Sequence, residues 1–287
     1  MRFGTIVICG GGCYGGYYVR QLARARAAGA LHVERIIVVD RDPSCAAAAL
    51  ASAIQRDDVD AIPRHGWRMR RADDTPRLAE SEPGYRGLPI EFVTAAWDQF
   101  FAHWFERAIA APLTAQHDAV VPSPLMPHLL SDWVESRVRA HRPAAPVQRV
   151  PMSVNMQTPW RRDAPDLAQY ASFATWMCPI NCIEPLRCPE TRGPRDWTMP
   201  AAVRIAADAA VRAGAPYDVV ALFHTTHRLY GVGMFDAHDA LAAEAAIASR
   251  ASQPVLRLLV ASVSHCHGAL SELLSRQGSA METIAGE

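Results

Sequence analysis

Three cysteines lie close together in the segment CPINCIEPLRCPET, as Cys178, Cys182 and Cys188 with the spacing C-x3-C-x5-C. Thiolates are soft ligands that hold zinc, iron–sulfur clusters or Cu(I). The seven cysteines of the chain are odd in number and unevenly spread, which does not indicate a disulfide framework. The prolines between the three cysteines stiffen the loop and remove backbone donors, so the remaining N–H groups can face the sulfurs. The pattern therefore predicts a metal site, and we expect a 4Fe–4S iron–sulfur cluster.

The fourth ligand of this site is open at the level of sequence. Cys266, His265 and His267 are candidates, and a fourth iron left free for substrate is a further option. We take Cys266 as the ligand that completes an all-cysteine set. Zinc is the alternative metal, although its structural sites usually have C-x2-C hooks, which this group lacks. Plain burial of the cysteines as small apolar residues is the remaining alternative.

Two pairs of histidines follow predicted strands. His224 and His227, in HTTH, follow one strand, and His265 and His267, in SHCHG, follow another. In open α/β sheets the ligand crevice lies at the carboxyl ends of the parallel strands. Histidine has an ordinary pKa of about 6.5, so it can bind a metal or exchange protons with a substrate near neutral pH. We expect these four histidines to act at one crevice of a single sheet, together with a glycine turn near the N-terminus.

That glycine turn has the pattern G-x-G-x-x-G, with Gly10, Gly12 and Gly15 between an apolar strand and a helix. Glycines allow a tight turn and a close approach of backbone N–H groups to a pyrophosphate, and the helix N-terminus adds positive charge. The next strand ends at Asp40, whose carboxylate can accept both ribose hydroxyls of NAD. Arg41 follows directly and could instead bind the 2′-phosphate of NADP, so the sequence favours NAD and leaves NADP open.

The succession of strand, glycine turn, helix, strand and acid resembles the Rossmann-fold NAD(P)-binding superfamily over about residues 4–42. The resemblance implies a doubly wound fold and an NAD or NADP cofactor at the five residues just named. A Rossmann-like domain whose turn holds no ligand is the alternative.

The elements that must position these residues alternate between strands and helices, which indicates an α/β fold. We expect a Rossmann-like, mostly parallel sheet with an irregular proline- and cysteine-rich insertion and additional C-terminal βα units. The corresponding parts are a nucleotide-binding domain at residues 1–140, a metal-binding segment at 141–199 and a C-terminal α/β region at 200–287. Predicted helices after the first unit occupy residues 44–55, 97–111, 129–139, 201–213, 237–249 and 268–276, and predicted strands occupy 90–94, 118–121, 217–223, 231–235 and 255–263.

Composition narrows the function classes. The 29 basic and 29 acidic residues cancel, which argues against a nucleic-acid partner. Every basic residue is an arginine, which excludes Schiff-base and P-loop lysine chemistry. No window has the ~20 apolar residues of a membrane span, so we expect a cytoplasmic protein with no membrane partner, and we allow for a homodimer. Residues 57–87 indicate an exposed loop or edge hairpin, and the arginines within residues 64–77 have no assigned role.

Together these features favour an NAD(P)-linked oxidoreductase that carries a cysteine-ligated iron–sulfur cluster and acts on a small molecule. The four histidines would handle protons at the substrate or complete the metal site. Two alternatives stay open. One is a zinc-containing, non-redox enzyme that depends on a nucleotide, and the other is a binding module that senses NAD(H) and redox state.

Overall fold

The computed structural model describes residues 1–62, 84–122, 128–174 and 182–277, which form two mixed sheets and six α-helices. The predicted α/β class is confirmed. In these ranges, no helix has the length and apolar content that crossing a membrane requires. The strands are β1 (Arg2–Cys9), β2 (His32–Asp40), β3 (Ile90–Thr94), β4 (Ala119–Val121), β5 (Val147–Val150), β6 (Trp160–Asp163), β7 (Gln169–Ser172), β8 (Val219–His224), β9 (Thr226–Leu229), β10 (Val232–Asp236), β11 (Val255–Val263) and β12 (His267–Arg276). The helices are α1 (Cys13–Ala27), α2 (Ala46–Gln55), α3 (Trp97–Ala110), α4 (Leu129–His141), α5 (Met199–Arg212) and α6 (Ala237–Ala248).

The first sheet has the strand order β3-β2-β1-β4-β10-β9. Its first four strands are parallel, whereas β10 is antiparallel to β4 and β9 is antiparallel to β10. In β1, Ile6 and Ile8 belong to the apolar core shared with α1 and α2, and Val7 and Cys9 belong to the core on the opposite side. A continuous apolar run such as Ile6–Cys9 is expected where helices cover both faces of a parallel sheet.

The second sheet has the order β6-β7-β12-β11-β8, with β5 also paired to β12. In the part that the structure describes, β8 and β11 are parallel and the other neighbouring pairs are antiparallel. Both sheets are therefore mixed, and the expected mostly parallel arrangement does not extend to the second one.

A layer of three helices, α3, α4 and α6, packs between the two sheets. Phe105 of α3 and Trp133 of α4 pack with ring centroids 4.7 Å apart. Phe223 of β8 lies 6.3 Å from Trp133 and 5.7 Å from Phe235 of β10, so aromatic contacts run from one sheet to the other. α5 covers the outer face of the second sheet.

Residues 268–276 form a strand, so the predicted helix is wrong. The leucines of this segment recur at helical spacing, but a short apolar run of this kind fits a strand buried on both faces equally well. β12 lies inside the second sheet, with β11 on one side and β5 and β7 on the other. Its buried Glu272 is bound by Arg257 at 2.7 Å, so the charge is paired inside the sheet.

Four short strands lie where the sequence indicated irregular structure or a loop. β5, β6 and β7 lie within residues 141–199, and β9 contains His227 of the HTTH sequence. Each has four residues, which is too short for alternation between apolar and polar residues to be recognised. Residues 64–77, with their unassigned arginines, lie outside the described ranges.

Candidate functional site

The glycine turn, residues 10–15, connects β1 to α1. Gly10 has a φ of +96°, which L side chains rarely adopt, and its N–H donates to the carbonyl of Val39 at 2.8 Å. A Cβ on Gly15 would lie 2.1 Å from the carbonyl oxygen of Gly10, so only glycine allows α1 to pack there. A Cβ on Gly12 would meet no atom within 4 Å. The turn therefore requires glycine at Gly10 for its backbone conformation and at Gly15 for its packing, and it is open at Gly12.

Gly12 is also the N-cap residue of α1. No side chain caps this helix end, and the first turn contains no acidic residue. Free N–H groups and the positive end of the helix dipole, equivalent to roughly half a charge, are therefore available to an anion. Because the open space at Gly12 lies at this helix end, the geometry fits a phosphate group.

Asp40 ends β2 beside the glycine turn. Its Oδ2 accepts the N–H of Gly11 at 2.6 Å, and its Oδ1 accepts the N–H of Asp42 at 3.0 Å. Each carboxylate oxygen can accept a second hydrogen bond, so ribose hydroxyls could still bind there. Arg41 is exposed next to it. These contacts fix the position of the Asp40 carboxylate at the mouth of the turn.

Cys188 is buried at the start of a tight turn. Its N–H donates to the carbonyl of Gly193 at 2.9 Å, and its Sγ accepts the N–H of Thr191 at 3.5 Å. Burial by itself would raise the pKa of this thiol. Hydrogen bonds from Thr191, from the Arg195 side chain and from the N–H of Glu190 outweigh that effect and lower the pKa to about 7. The turn therefore favours a thiolate at Cys188.

Arg195 is the neighbour that these cysteines share. Burial opposes the charge of its guanidinium, but the nearby thiols of Cys188, Cys266 and Cys182 raise its pKa. Its buried Nε and Nη1 have no hydrogen-bond partner in the described part of the chain. Cys266 is itself buried, and burial raises the pKa of its thiol to about 11, although the nearby Trp197 and Arg195 oppose the shift. We refer to Cys182, Cys188, Cys266 and Arg195 as the thiol–arginine cluster.

The predicted metal site is only partly visible, because Cys178 lies outside the described residues. The other three predicted ligands, Cys182, Cys188 and Cys266, share the neighbourhood of Arg195. Within the described ranges, no three His, Cys, Asp or Glu side chains are placed to hold one metal ion. The iron–sulfur cluster and its zinc alternative therefore stay predictions.

Glu184 connects the cysteine segment to the predicted histidines. Its Oε1 accepts the backbone N–H of His265 at 2.9 Å, and its Oε2 lies 4.0 Å from Nε2 of His227. Nδ1 of His227 lies 2.9 Å from the carbonyl oxygen of Gly231, which can only accept, so Nδ1 carries the proton. Nε2 of His224 is buried without a hydrogen-bond partner, and burial lowers the pKa of this imidazole although Glu184 opposes the shift. We refer to Glu184, His224, His227 and His265 as the histidine cluster.

The histidines and the glycine turn do not lie on a single sheet, which corrects the expectation from the sequence. His224 ends β8 and pairs with Val263 at the end of β11. These two strands are parallel as predicted, but they belong to the second sheet. His227 lies in β9 of the first sheet, and His267 begins β12.

The turn between β9 and β10 nevertheless brings the regions together. Because β10 runs antiparallel to β4, this turn lies at the carboxyl edge of the parallel strands, as the glycine turn does. A Cβ on Gly231 would lie 3.0 Å from Cγ2 of Ile183 and 3.8 Å from the hydroxyl of Tyr17. Ile183 stands between Cys182 and Glu184, and Tyr17 lies in the second turn of α1. Ile183 and the turn between β9 and β10 therefore lie beside the second turn of α1.

Sequence reasoning missed Glu184, Arg195 and Trp197. Glu184 lies within the cysteine motif, and its position there was the one available signal. It has a φ of +53°, an unfavourable conformation for glutamate that costs on the order of 1 kcal/mol and is common at functional sites. Arg195 and Trp197 carry no signal, because their partner Cys266 is distant in sequence and only the fold brings them together.

Comparison with protein families gives one finding that covers this region. The family model AF_1314_C, described as "Uncharacterized protein, C-terminal domain", matches residues 130–276, about half of the chain. The match runs from α4 to the end of β12 and includes the cysteine segment and the four predicted histidines. The searches of curated proteins and of solved structures found no match. The chain belongs to the AF_1314_C family.

Proposed function

We propose that the protein is an NAD(P)-linked oxidoreductase whose N-terminal unit is Rossmann-like and binds the dinucleotide at the glycine turn. The observation that carries the proposal is the contrast among the three motif glycines. The protein itself requires glycine at Gly10 for its positive φ and at Gly15 for its packing, whereas the space beside Gly12 is free. A glycine that the protein does not need for its own packing is expected where a ligand approaches the backbone.

The parallel strand order β3-β2-β1-β4 supports this reading, because it is the order of the first strands in a doubly wound nucleotide-binding sheet. The pyrophosphate would bind to the N–H groups at the start of α1. Asp40, held by two backbone N–H groups, would accept the ribose hydroxyls and repel a 2′-phosphate. We therefore expect NAD to be preferred, with Arg41 as the residue that would allow NADP.

The histidine cluster supplies groups that can exchange a proton with a substrate. A bound nicotinamide would supply hydride transfer, and oxidation of a hydroxyl also requires a base for the hydroxyl proton. His227 is suited to that role because its Nδ1 is protonated and its Nε2 is free to accept, with Glu184 placed to stabilise the resulting imidazolium. His224, neutral because of burial, presents an unpartnered Nε2. No step in this proposal uses an iron–sulfur cluster or zinc.

The binding step can be tested by calorimetry with NADH and NADPH on a pair of glycine variants. Gly12→Asp places a favourable N-cap residue at α1, so the fold is retained, but its carboxylate would repel the pyrophosphate. We expect at least 30-fold weaker binding. Gly16→Asp is the matched control, because a Cβ there also meets no atom within 4 Å and the same charge lies one helical turn away. We expect it to weaken binding by less than fivefold.

Two results would contradict the proposal. One is wild-type protein that binds neither NAD(H) nor NADP(H), and the other is a folded Gly12→Asp variant that binds as well as the wild type. Tight binding with no hydride exchange across a panel of alcohols, aldehydes and hydroxy acids would instead favour the sensing module.

A further inference from the structure

The hairpin between β9 and β10 turns through two residues, Tyr230 and Gly231, and Leu229 pairs with Val232 on either side of them. Both turn residues have a positive φ, +48° at Tyr230 and +79° at Gly231, as in a type I′ turn. Glycine, asparagine and aspartate adopt a positive φ readily, whereas a tyrosine there is strained. The hairpin therefore carries an aromatic side chain at a position where the backbone favours asparagine or glycine.

The packing of the protein does not account for this tyrosine, because the side chain of Tyr230 is 44% exposed. Within the part of the chain that the structure describes, its hydroxyl has no hydrogen bond and its ring has no aromatic partner. Residues in strained backbone conformations are concentrated at active sites and at positions that hold ligands. A strained tyrosine with a free ring is therefore a candidate for contact with a substrate.

The same turn holds the proposed base. The carbonyl oxygen of Gly231, the residue after Tyr230, lies 2.9 Å from Nδ1 of His227 and fixes the position of that ring. Oε2 of Glu184 lies 4.0 Å from Nε2 of His227. A substrate that reaches this Nε2 therefore approaches a carboxylate, which disfavours an anionic substrate because like charges repel.

Other apolar and aromatic side chains lie near the turn. Ile183 is exposed, and its Cγ2 lies 3.0 Å from the position of a Cβ on Gly231. The hydroxyl of Tyr17 lies 3.8 Å from that same position. Tyr14 is also exposed and precedes Tyr17 by three residues, so the two share one face of α1. Apolar and aromatic groups therefore extend from the start of α1 to the hairpin.

We propose that Tyr230 recognises the substrate, and that the substrate is an uncharged molecule with a planar aromatic ring, an aryl alcohol or aryl aldehyde. Its ring stacks on Tyr230 beside Ile183, and its hydroxyl or carbonyl oxygen points to Nε2 of His227. Aromatic rings form offset-stacked or edge-to-face contacts with one another that a saturated ring cannot form. Oxidation of the alcohol passes its hydride to the nicotinamide and its hydroxyl proton to His227, which leaves the aldehyde. This substrate class rests on the proposed oxidoreductase function.

Binding can be measured by NMR on the full-length protein with isotope-labelled tyrosine rings. The chain has seven tyrosines, and the signal that disappears in Tyr230→Phe is that of Tyr230. The probes are benzyl alcohol, its saturated counterpart cyclohexylmethanol and its anionic counterpart mandelate. We expect benzyl alcohol to shift the Tyr230 signal until saturation, and we expect the other two to bind at least fivefold more weakly.

Two variants separate recognition from the stability of the turn. Tyr230→Asn relieves the strain, so we expect the melting temperature to rise by about 2 °C and benzyl alcohol to bind at least tenfold more weakly. Tyr230→Phe is the matched control, because it keeps both the ring and the strain. We expect it to melt with the wild type and to bind benzyl alcohol within threefold of it. Saturation transfer to the ring protons of benzyl alcohol measures binding in both variants.

Three results would overturn this substrate class. They are wild-type protein that binds no benzyl alcohol with or without NADH, wild-type protein that binds cyclohexylmethanol or mandelate as tightly as benzyl alcohol, and a Tyr230→Asn variant that binds benzyl alcohol as well as the wild type. Calorimetry with NADH on the same samples distinguishes the two proposals. Protein that binds NADH but gives one of these results loses only the substrate class, whereas protein that binds benzyl alcohol at Tyr230 but no dinucleotide contradicts the proposed function.

Discussion

The glycine turn is built from the backbone of residues 10–15, whereas the thiol–arginine and histidine clusters collect side chains from residues as distant as Cys182 and Cys266. In the turn, Gly10 is specified by its positive φ and Gly15 by the lack of room for a Cβ, and both are local properties. In the clusters, the pKa of each group depends on partners that other elements supply. Residues whose role depends on the local backbone can therefore be recognised in a sequence. Side chains that come together from distant positions can be recognised only when the fold is known.

The largest expected effect tests the backbone side of this contrast. In Gly15→Ala the new Cβ would lie 2.1 Å from the carbonyl oxygen of Gly10, so we expect the free energy of unfolding to fall by about 3 kcal/mol. In Gly12→Ala the Cβ meets no atom within 4 Å, and we expect a loss of no more than about 1 kcal/mol, because alanine is a poorer N-cap residue than glycine. Urea unfolding followed by circular dichroism measures both. If both variants lost the same free energy of unfolding, Gly15 could not be distinguished from Gly12 as the glycine that the packing requires.

A second prediction tests the side-chain region through pH. The folded pKa of Cys188, about 7, lies below its ordinary value of 9.0, so folding favours the thiolate. This contribution is complete above pH 9 and is lost as pH falls through 7. The stability difference between wild type and Cys188→Ser should therefore grow between pH 6 and 9, by on the order of 1 kcal/mol. Urea unfolding with a reductant present measures it.

Cys266 provides the control for that measurement. Its folded pKa is raised to about 11, so its contribution is complete below pH 9 and is lost as pH rises towards 11. The difference between wild type and Cys266→Ser should stay flat between pH 6 and 8. If the stability difference from wild type depended on pH in the same way in both variants, the turn around Cys188 would not be lowering the pKa of its thiol.

The smallest expected effect concerns the histidine cluster. Burial lowers the pKa of His224, and the carboxylate of Glu184 opposes that shift. Glu184→Gln should therefore lower the pKa of His224 further, because the opposing charge is removed while the burial remains. Titration of the histidine ring protons by NMR measures the change. An unchanged or raised pKa in the variant would show that Glu184 does not act on His224.

The same contrast explains how much of the molecule could be predicted. The glycine turn, α2, α3, α6 and β11 follow from local pattern, because glycine spacing and long amphipathic or apolar runs carry strong signals. The strand at residues 268–276, where the sequence predicts a helix, could not be predicted. The leucine spacing there suits both a helix and a strand that is buried on both faces. β9 was missed because its four residues obtain their structure from pairing with β10.

The candidate site divides in the same way. The predicted positions Cys182, Cys188 and Cys266 do share the neighbourhood of Arg195. His224 ends β8 and His265 lies just beyond β11, the parallel strand beside it. The residues that determine their chemistry, Glu184 and Arg195, could not be selected from the sequence. A carboxylate and a guanidinium are common in any chain, and their effect here comes from burial and from partners distant in sequence.

The helical layer between the sheets has a consequence for work with fragments of the protein. Residues 130–276, the part matched by the family, include Trp133 and β10 but not α3 or β4. A piece cut at that boundary would expose the ring of Trp133, which packs 4.7 Å from Phe105, and would leave β10 without β4. We therefore expect the matched segment to be insoluble when it is expressed alone. In the full-length protein, the matched segment and the part that precedes it should unfold in a single cooperative transition.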